Sequence, residues 1–297
     1  MKVVRFVFVD VFADRPLEGN PLAVVPEADH LDEETMRGIA REFNQSETTF
    51  LLAPSSSQAQ ARLRSFTPAG AEVFGAGHNS LGAWWWLAGS GRLQFTGRRS
   101  VFSQEIGDRV LPVEVVLHGQ RPKEIGLKQS SPEFQREVFE FGELAAALGL
   151  APGHLGPESA QVVTTGAAHL LVPVRTRAAV ERAAPDAPRL AAALRAVGGE
   201  GCYLYCLDPI EADSTAHARF FNPTVGIWED PATGTAAGPL ACQLVMRGQA
   251  SEQAPIIIEQ GHAVGRPSRV QVIVDGDQVT IFGACVIAAE GQLILGS

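Results

Sequence analysis

The segment Asn44-Gln45-Ser46-Glu47-Thr48-Thr49-Phe50 is a polar cluster that runs straight into an apolar stretch. This places Glu47 at a strand end rather than on a solvated face. A carboxylate that loses water there has its pKa raised towards the range of a general base. A surface glutamate at a turn is the plainer alternative. Two further segments carry glycine at an expected helix start: Gly75-Ala76-Gly77-His78-Asn79-Ser80, and Glu229-Asp230-Pro231-Ala232-Thr233-Gly234-Thr235. His78 is placed either to hydrogen-bond a substrate or a carboxylate, or only to cap its helix. The second segment combines two carboxylates, a proline that fixes the backbone, and hydroxyls flanking a glycine. Thr235 offers a hydroxyl and an N–H together, while Asp230 is either a site residue or a helix N-cap.

These two helix starts belong to one pattern that occurs twice. Phe66-Thr67-Pro68 is followed ten residues on by His78, and Phe221-Asn222-Pro223 is followed ten residues on by Thr233-Gly234-Thr235. In each copy a strand ends at an aromatic and a proline, a loop follows, and glycine opens an apolar helix. Two domains of the same fold explain the doubling. Each helix start presents unpaired N–H groups and about half a positive charge, so a facing pair would grip a small carboxylate without arginine or metal. Close helix–strand packing is the structural alternative for either glycine.

Hydrophobic periodicity predicts strands over 3–12, 21–25, 48–52 and 60–66, a helix over 31–42 and a nearly uncharged helix over 77–87. β-rich runs then extend to about residue 127. The stretch 130–150 reads as polar, becoming helical over 140–148. Strands follow at 160–165 and 169–173, an alanine-rich helical region at 178–197, strands at 201–207 and 216–222, and a helix at 235–247. The pattern closes with strands at 254–260, 267–275 and 278–294. Mixed short strands with few helices indicate an α+β (α/β) chain. Its length of 297 residues suits two domains, expected at 1–129 and 130–297, with the last strands as candidates to cross back to the first domain.

Composition narrows the function classes. With 24 basic and 33 acidic residues the chain carries a net charge of -9, which disfavours nucleic acid as a partner. The start lacks the apolar region of a signal peptide, and no run is long enough to cross a membrane, so a cytoplasmic location without membrane contact is expected. The four cysteines, Cys202, Cys206, Cys242 and Cys285, are scattered, and core packing explains them better than disulfides. His78, Asp230, Glu47 and His262 are conceivable metal ligands, but no ligand spacing supports a metal site. The third glycine of a dinucleotide fingerprint would fall at Ser80, and no Walker lysine follows a glycine loop.

At these residues the sequence resembles the phenazine-biosynthesis isomerase-like (PhzF) family, which shares its fold with diaminopimelate epimerase and proline racemase. The segments DVFADRPLEGNPLAVV, NQSETTFL, RSFTP with GHNSLGA, RFFNPTVGIWEDPATGTAAG and QGHAVGRPSRVQV carry the likeness nearly end to end. It implies two similar domains, each a mainly antiparallel sheet wrapped round a central helix, with an active site in the cleft between them. It further implies a homodimer and a cofactor-independent isomerase acting on a small carboxylate. The family's acid/base glutamate carries over to Glu47, and its other catalytic positions to His78, Asp230 and Thr235. Substrate binding falls to Asn20, Ser46, Gly77, Asn79 and Gly234, with the two glycines as backbone donors. The related racemases use a cysteine at each helix start, and neither loop here has one, so a one-carboxylate proton shift fits better than two-base racemisation. A racemase or epimerase acting on an amino acid, and a protein that binds a small acid without catalysis, are the other readings. Asn79 stands where the family commonly has proline or a small residue, the loop Pro68–Glu72 is one residue longer, and Thr235 replaces a frequent serine.

Overall fold

Valines alternating with Phe6, Phe8 and Asp10 near the start of the chain form β1 (Lys2–Val11), in which Val7, Val9 and Val11 are buried. The computed structural model describes residues 2–296. These residues fall into two compact units, one running to Leu127 and resuming at Phe282, the other covering Lys128–Ile281.

In the first unit β1 lies between β2 (Asn20–Val25) and the last strand of the chain, β18 (Cys285–Leu295), antiparallel to both. β2 runs parallel to β3 (Thr48–Leu52), and the crossover is α1 (Glu33–Phe43). Asp32 caps that helix by accepting from the Thr35 N–H at 2.8 Å, and Met36, Ile39 and Ala40 bury its inner face. Such a cap is worth about 1 kcal/mol. β4 (Ala61–Phe66) pairs antiparallel with β3 and carries the short β5 (Glu72–Val73). After α2 (His78–Gly89) come β6 (Arg99–Ile106), parallel to β4, then β7 (Arg109–His118) and β8 (Arg121–Gln129), each antiparallel to the one before. With no charged side chain beyond His78, α2 is buried on nearly every side and packs on β1, β2, β3, β7 and β18. Two of its tryptophans, Trp84 and Trp86, belong to the core; Trp84 is fully buried, and its indole N–H donates to Gln104 Oε1 at 2.9 Å.

The second unit contains β9 (Glu133–Val138), α3 (Gly142–Ala147), β10 (Ala160–Thr164), β11 (Ala168–Pro173), α4 (Arg177–Arg182) and α5 (Ala187–Val197). β12 (Gly201–Cys206), β13 (Ala216–Asn222), β14 (Ile227–Asp230), α6 (Gly234–Met246), β15 (Ile256–Gln260), β16 (Ser268–Asp275) and β17 (Gln278–Gly283) complete it. From β10 through β11, β12, β13 and β15 to β16 the pairings alternate antiparallel, parallel, antiparallel, parallel, antiparallel. The path β1, β2, β3, β4, β6, β7 has the same succession, and β14 sits on β13 as β5 sits on β4. Each unit is therefore a mainly antiparallel sheet with a central helix, α2 or α6, built on one topology.

The shared topology fixes counterparts residue by residue. Thr48 faces Phe66, and Cys202 faces Phe221, where each phenylalanine opens its copy of the doubled motif. Ala23 faces Thr48, and Leu170 faces Cys202. Arg64 thus corresponds to Arg219, Leu22 to His169, and Glu47 to Gly201.

Three expectations need correction. The alanine-rich helix expected over 178–197 is broken at Ala183–Asp186, where Pro185 cannot continue α4 and Asp186 caps α5 by accepting from the Arg189 N–H at 2.9 Å. The polar stretch after residue 130 holds a strand, β9, formed by pairing with β10 rather than by an apolar face. The strand expected over 278–294 is two strands, of which β18 joins the first unit. Among the described residues no helix is long and apolar enough to cross a membrane.

Candidate active site

In the first unit the polar run from Asn44 turns the chain from α1 into β3. Asn44 adopts the left-handed φ of 50° that ends the helix, and Glu47 follows, half-buried, immediately before the strand. The hydroxyl of Ser46 lies 3.2 Å from His78 Nε2 at the first turn of α2. His78 keeps part of its surface open, yet the protein around its ring desolvates the imidazolium and pushes its pKa down to about 4. At neutral pH it is a neutral hydrogen-bonding group and a weak base, whatever its tautomer.

Asn79 is spent on the protein itself. Its Oδ1 accepts from the Gly77 N–H at 2.7 Å and the Ser80 N–H at 2.8 Å, while its Nδ2 donates to the Gly75 carbonyl at 2.9 Å and Ser65 Oγ at 3.2 Å. The Gly77 amide, expected as a substrate donor, is thus engaged within the loop itself. The first two helical amides, of His78 and Asn79, have no acceptor one turn back. Asn20, the remaining candidate of this unit, is buried at the start of β2.

In the second unit the pair Glu229-Asp230 divides its labour. Arg219 holds Glu229 through two parallel hydrogen bonds of 2.9 and 2.7 Å, and its other nitrogen donates to the carbonyls of Val180, Glu181 and Ala183 at the end of α4. The Glu229 carboxylate is nearly inaccessible, whereas Asp230 is only half-buried. The hydroxyl of Thr233 donates to Asp230 Oδ2, and the buried Gln260 clasps the same turn, donating to the Asp230 carbonyl at 2.6 Å and Thr233 Oγ1 at 3.1 Å. Ser268 donates to the Pro231 carbonyl at 2.9 Å. Gly261, at φ +83°, passes so near that a Cβ there would lie 2.5 Å from the Pro231 carbonyl oxygen. The segment QGHAVGRPS is accordingly the buttress of the Asp230–Thr233 turn.

α6 then opens at Gly234, whose carbonyl accepts from Gln129 at 2.9 Å. The amides of Gly234 and Thr235 are its first two and lack intrahelical acceptors. Neither α2 nor α6 has a side-chain N-cap, in contrast to α1, α4 and α5, which are capped by Asp32, Thr176 and Asp186. Thr235 Oγ1 lies 3.2 Å from Nε2 of His169, a buried residue of β11 whose pKa desolvation lowers to about 4.

His169, Gln260 and the Arg219–Glu229 pair are the neighbours of the candidate residues that sequence reasoning missed. The arginine brace alone had a visible signal, because it too is doubled. Arg64 forks onto Glu72 with two bonds of 2.7 Å, and each guanidinium lies over the phenylalanine of its motif, Arg64 over Phe66 at 5.0 Å and Arg219 over Phe221 at 4.9 Å. All four cysteines are free and buried, and none is at a helix start; burial pushes the Cys202 thiol up to about 12.

Among known proteins, a family model described as phenazine biosynthesis-like protein matches residues 9–291. The trans-2,3-dihydro-3-hydroxyanthranilate isomerase of Pseudomonas aeruginosa is 34% identical over 301 residues, covering 98% of this chain and 99% of that one. A crystal structure of a phenazine biosynthesis protein of the PhzF family from Bacillus anthracis matches with a TM-score of 0.90 at 28% identity, covering 99% of this chain and all of the other. A probable proline racemase from Agrobacterium radiobacter shares the fold, with a TM-score of 0.62 at 15% identity and coverage of 99% and 93%.

Proposed function

Since the chain belongs to the phenazine biosynthesis-like (PhzF) family and is an isomerase, we propose that it moves a hydrogen between two carbons of a small carboxylate-bearing substrate, with Glu47 as the only acid/base group. Glu47 removes a proton from one carbon, holds it as a carboxylic acid, and returns it to another carbon of the same molecule. No atom is gained or lost. Asp230 and Thr235 bind the substrate's polar groups, and neutral His78, steadied by Ser46, supplies a hydrogen bond to the shifting charge. The substrate carboxylate is received by amides at a helix start, those of His78 and Asn79.

The observation that carries this reading is the asymmetry of the doubled fold. The half-buried carboxylate of Glu47 has glycine, Gly201, as its counterpart, and the absence of thiol at either helix start removes the other two-base arrangement. By its likeness to the Pseudomonas relative, trans-2,3-dihydro-3-hydroxyanthranilate is the first substrate to test. Turnover of that compound, deuterated at the carbon that loses hydrogen, should leave part of the deuterium in the product, because one carboxylate carries it across. Complete replacement by solvent hydrogen would withdraw this support, since a carboxylic acid open to water exchanges its proton, and binding without turnover would defeat the reading for this compound.

A further inference from the structure

Beneath Thr235 lies a histidine that the proposed reaction does not use. His169 is 3% exposed. Its ring is held edge-to-face by Phe220, with centroids 4.9 Å apart, and Nε2 is in hydrogen-bond contact with Thr235 Oγ1 while Nδ1 has no hydrogen-bond partner. That second nitrogen is closed off from solvent beside Gly201, where an added Cβ would stand 3.2 Å from it. The fold itself does not require an imidazole here. The counterpart in the first unit is Leu22, fully buried in the same place on the parallel strand pair.

A neutral imidazole has one N–H, and burying an N–H without an acceptor costs about 1–3 kcal/mol. Placing the hydrogen on Nδ1 would strand it against backbone and Phe220; placing it on Nε2 gives it Thr235 Oγ1 as acceptor. A threonine hydroxyl whose oxygen already accepts keeps its own proton to give elsewhere.

We propose that His169 is a positioning residue which, as the Nε2–H tautomer, donates to Thr235 Oγ1 and so commits the Thr235 hydroxyl to act as a donor to the substrate. This rests on Thr235 belonging to the site as set out above. The low proton affinity imposed by burial keeps the ring neutral through the physiological range. A hydroxyl that must give its proton away selects an anionic or carbonyl oxygen and rejects a donor such as an ammonium.

The test has two arms. Long-range proton–nitrogen correlation on protein labelled at histidine, with the His169 signals assigned by their loss in His169→Leu, should show a neutral ring protonated at Nε2. A ring protonated at Nδ1, or doubly protonated at neutral pH, overturns the proposal. In the second arm, kcat/KM for trans-2,3-dihydro-3-hydroxyanthranilate should fall about tenfold in His169→Leu, the scale of one hydrogen bond. It should fall by no less in Thr235→Val, and no further when the two are combined, while His169→Gln, which keeps an N–H near the same point, recovers part of the loss. Losses that multiply in the double variant, with thermal unfolding unchanged, also overturn it. If Thr235→Val is fully active, it is the assignment of Thr235 to the site that falls, and the tautomer measurement still decides the direction of the hydrogen bond.

Discussion

Glu47 and Gly201 hold the same place in the two halves of the chain, each immediately before the residue that faces the motif phenylalanine. No side chain fits at the second of them: a Cβ on Gly201 would lie 2.4 Å from Phe220 Cζ. A carboxylate at both positions, as symmetrical two-base chemistry would need, is therefore excluded by packing. Gly201→Ala should destabilise the protein by about 1–3 kcal/mol in denaturant unfolding, the usual cost of overpacking a core. Unchanged stability would show that Phe220 moves aside freely.

Arg219 and Glu229 are both nearly inaccessible, whereas Arg64 and Glu72 each keep 18% of their side-chain surface exposed. Removing one partner of a buried pair leaves an uncompensated charge and costs about 3–5 kcal/mol; exposure reduces that cost. Arg219→Ala should lower stability clearly more than Arg64→Ala, and Arg219→Lys should recover only part, because an ammonium cannot fork onto both carboxylate oxygens. Equal losses at the two arginines in thermal or denaturant unfolding would contradict this ranking.

Asn79 gathers the glycine loop with four hydrogen bonds from one side chain. Asn79→Ala leaves the Gly77 N–H and the Gly75 carbonyl without it, at about 1–3 kcal/mol. The expected signature is lower stability together with a rise in KM that exceeds the fall in kcat, as the amides of the α2 start lose their fixed direction. A fall in kcat alone would place Asn79 in the chemical step instead.

Two desolvated histidines give the protein an acid-sensitive stability. His78 and His169 take up a proton at about 4 in the folded chain, against an ordinary value of 6.5. Between those values the unfolded chain binds more protons, so stability rises with pH and is lost as pH falls from about 6.5 towards 4. Denaturant midpoints measured from pH 7 to pH 4.5 should decline, and His169→Leu should flatten part of the slope. A slope unaltered in that variant would mean that His169 titrates normally.

Elements written in local pattern were legible in the sequence. The strands over 48–52 and 216–222 form where periodicity places them, and the doubled Phe-x-Pro-to-glycine motif marks two units of one topology. Elements that depend on a partner were not. β9, with Glu133, Gln135, Arg136 and Glu137, is an edge strand whose residues are mostly exposed, so pairing with β10 creates it and no apolar alternation announces it. Among the candidate residues, Glu47, His78, Asp230 and Thr235 stood out because polar residues at helix and strand ends interrupt apolar runs. His169 hides inside an apolar strand, and Gln260 reaches the Asp230–Thr233 turn from 27 residues beyond Thr233. The Gly77 amide looked available because the backbone pattern cannot reveal that the side chain two residues later folds back to occupy it.

The proposed single-carboxylate proton transfer would concentrate the chemistry on one atom pair, the Glu47 carboxylate oxygens, and the most direct measurement is kcat of Glu47→Gln on trans-2,3-dihydro-3-hydroxyanthranilate. Glutamine keeps the shape and removes the base, so turnover should fall by about 10²–10⁴-fold or more, with binding and thermal unfolding preserved. Turnover within a few-fold of the unaltered protein would contradict Glu47 as the proton carrier.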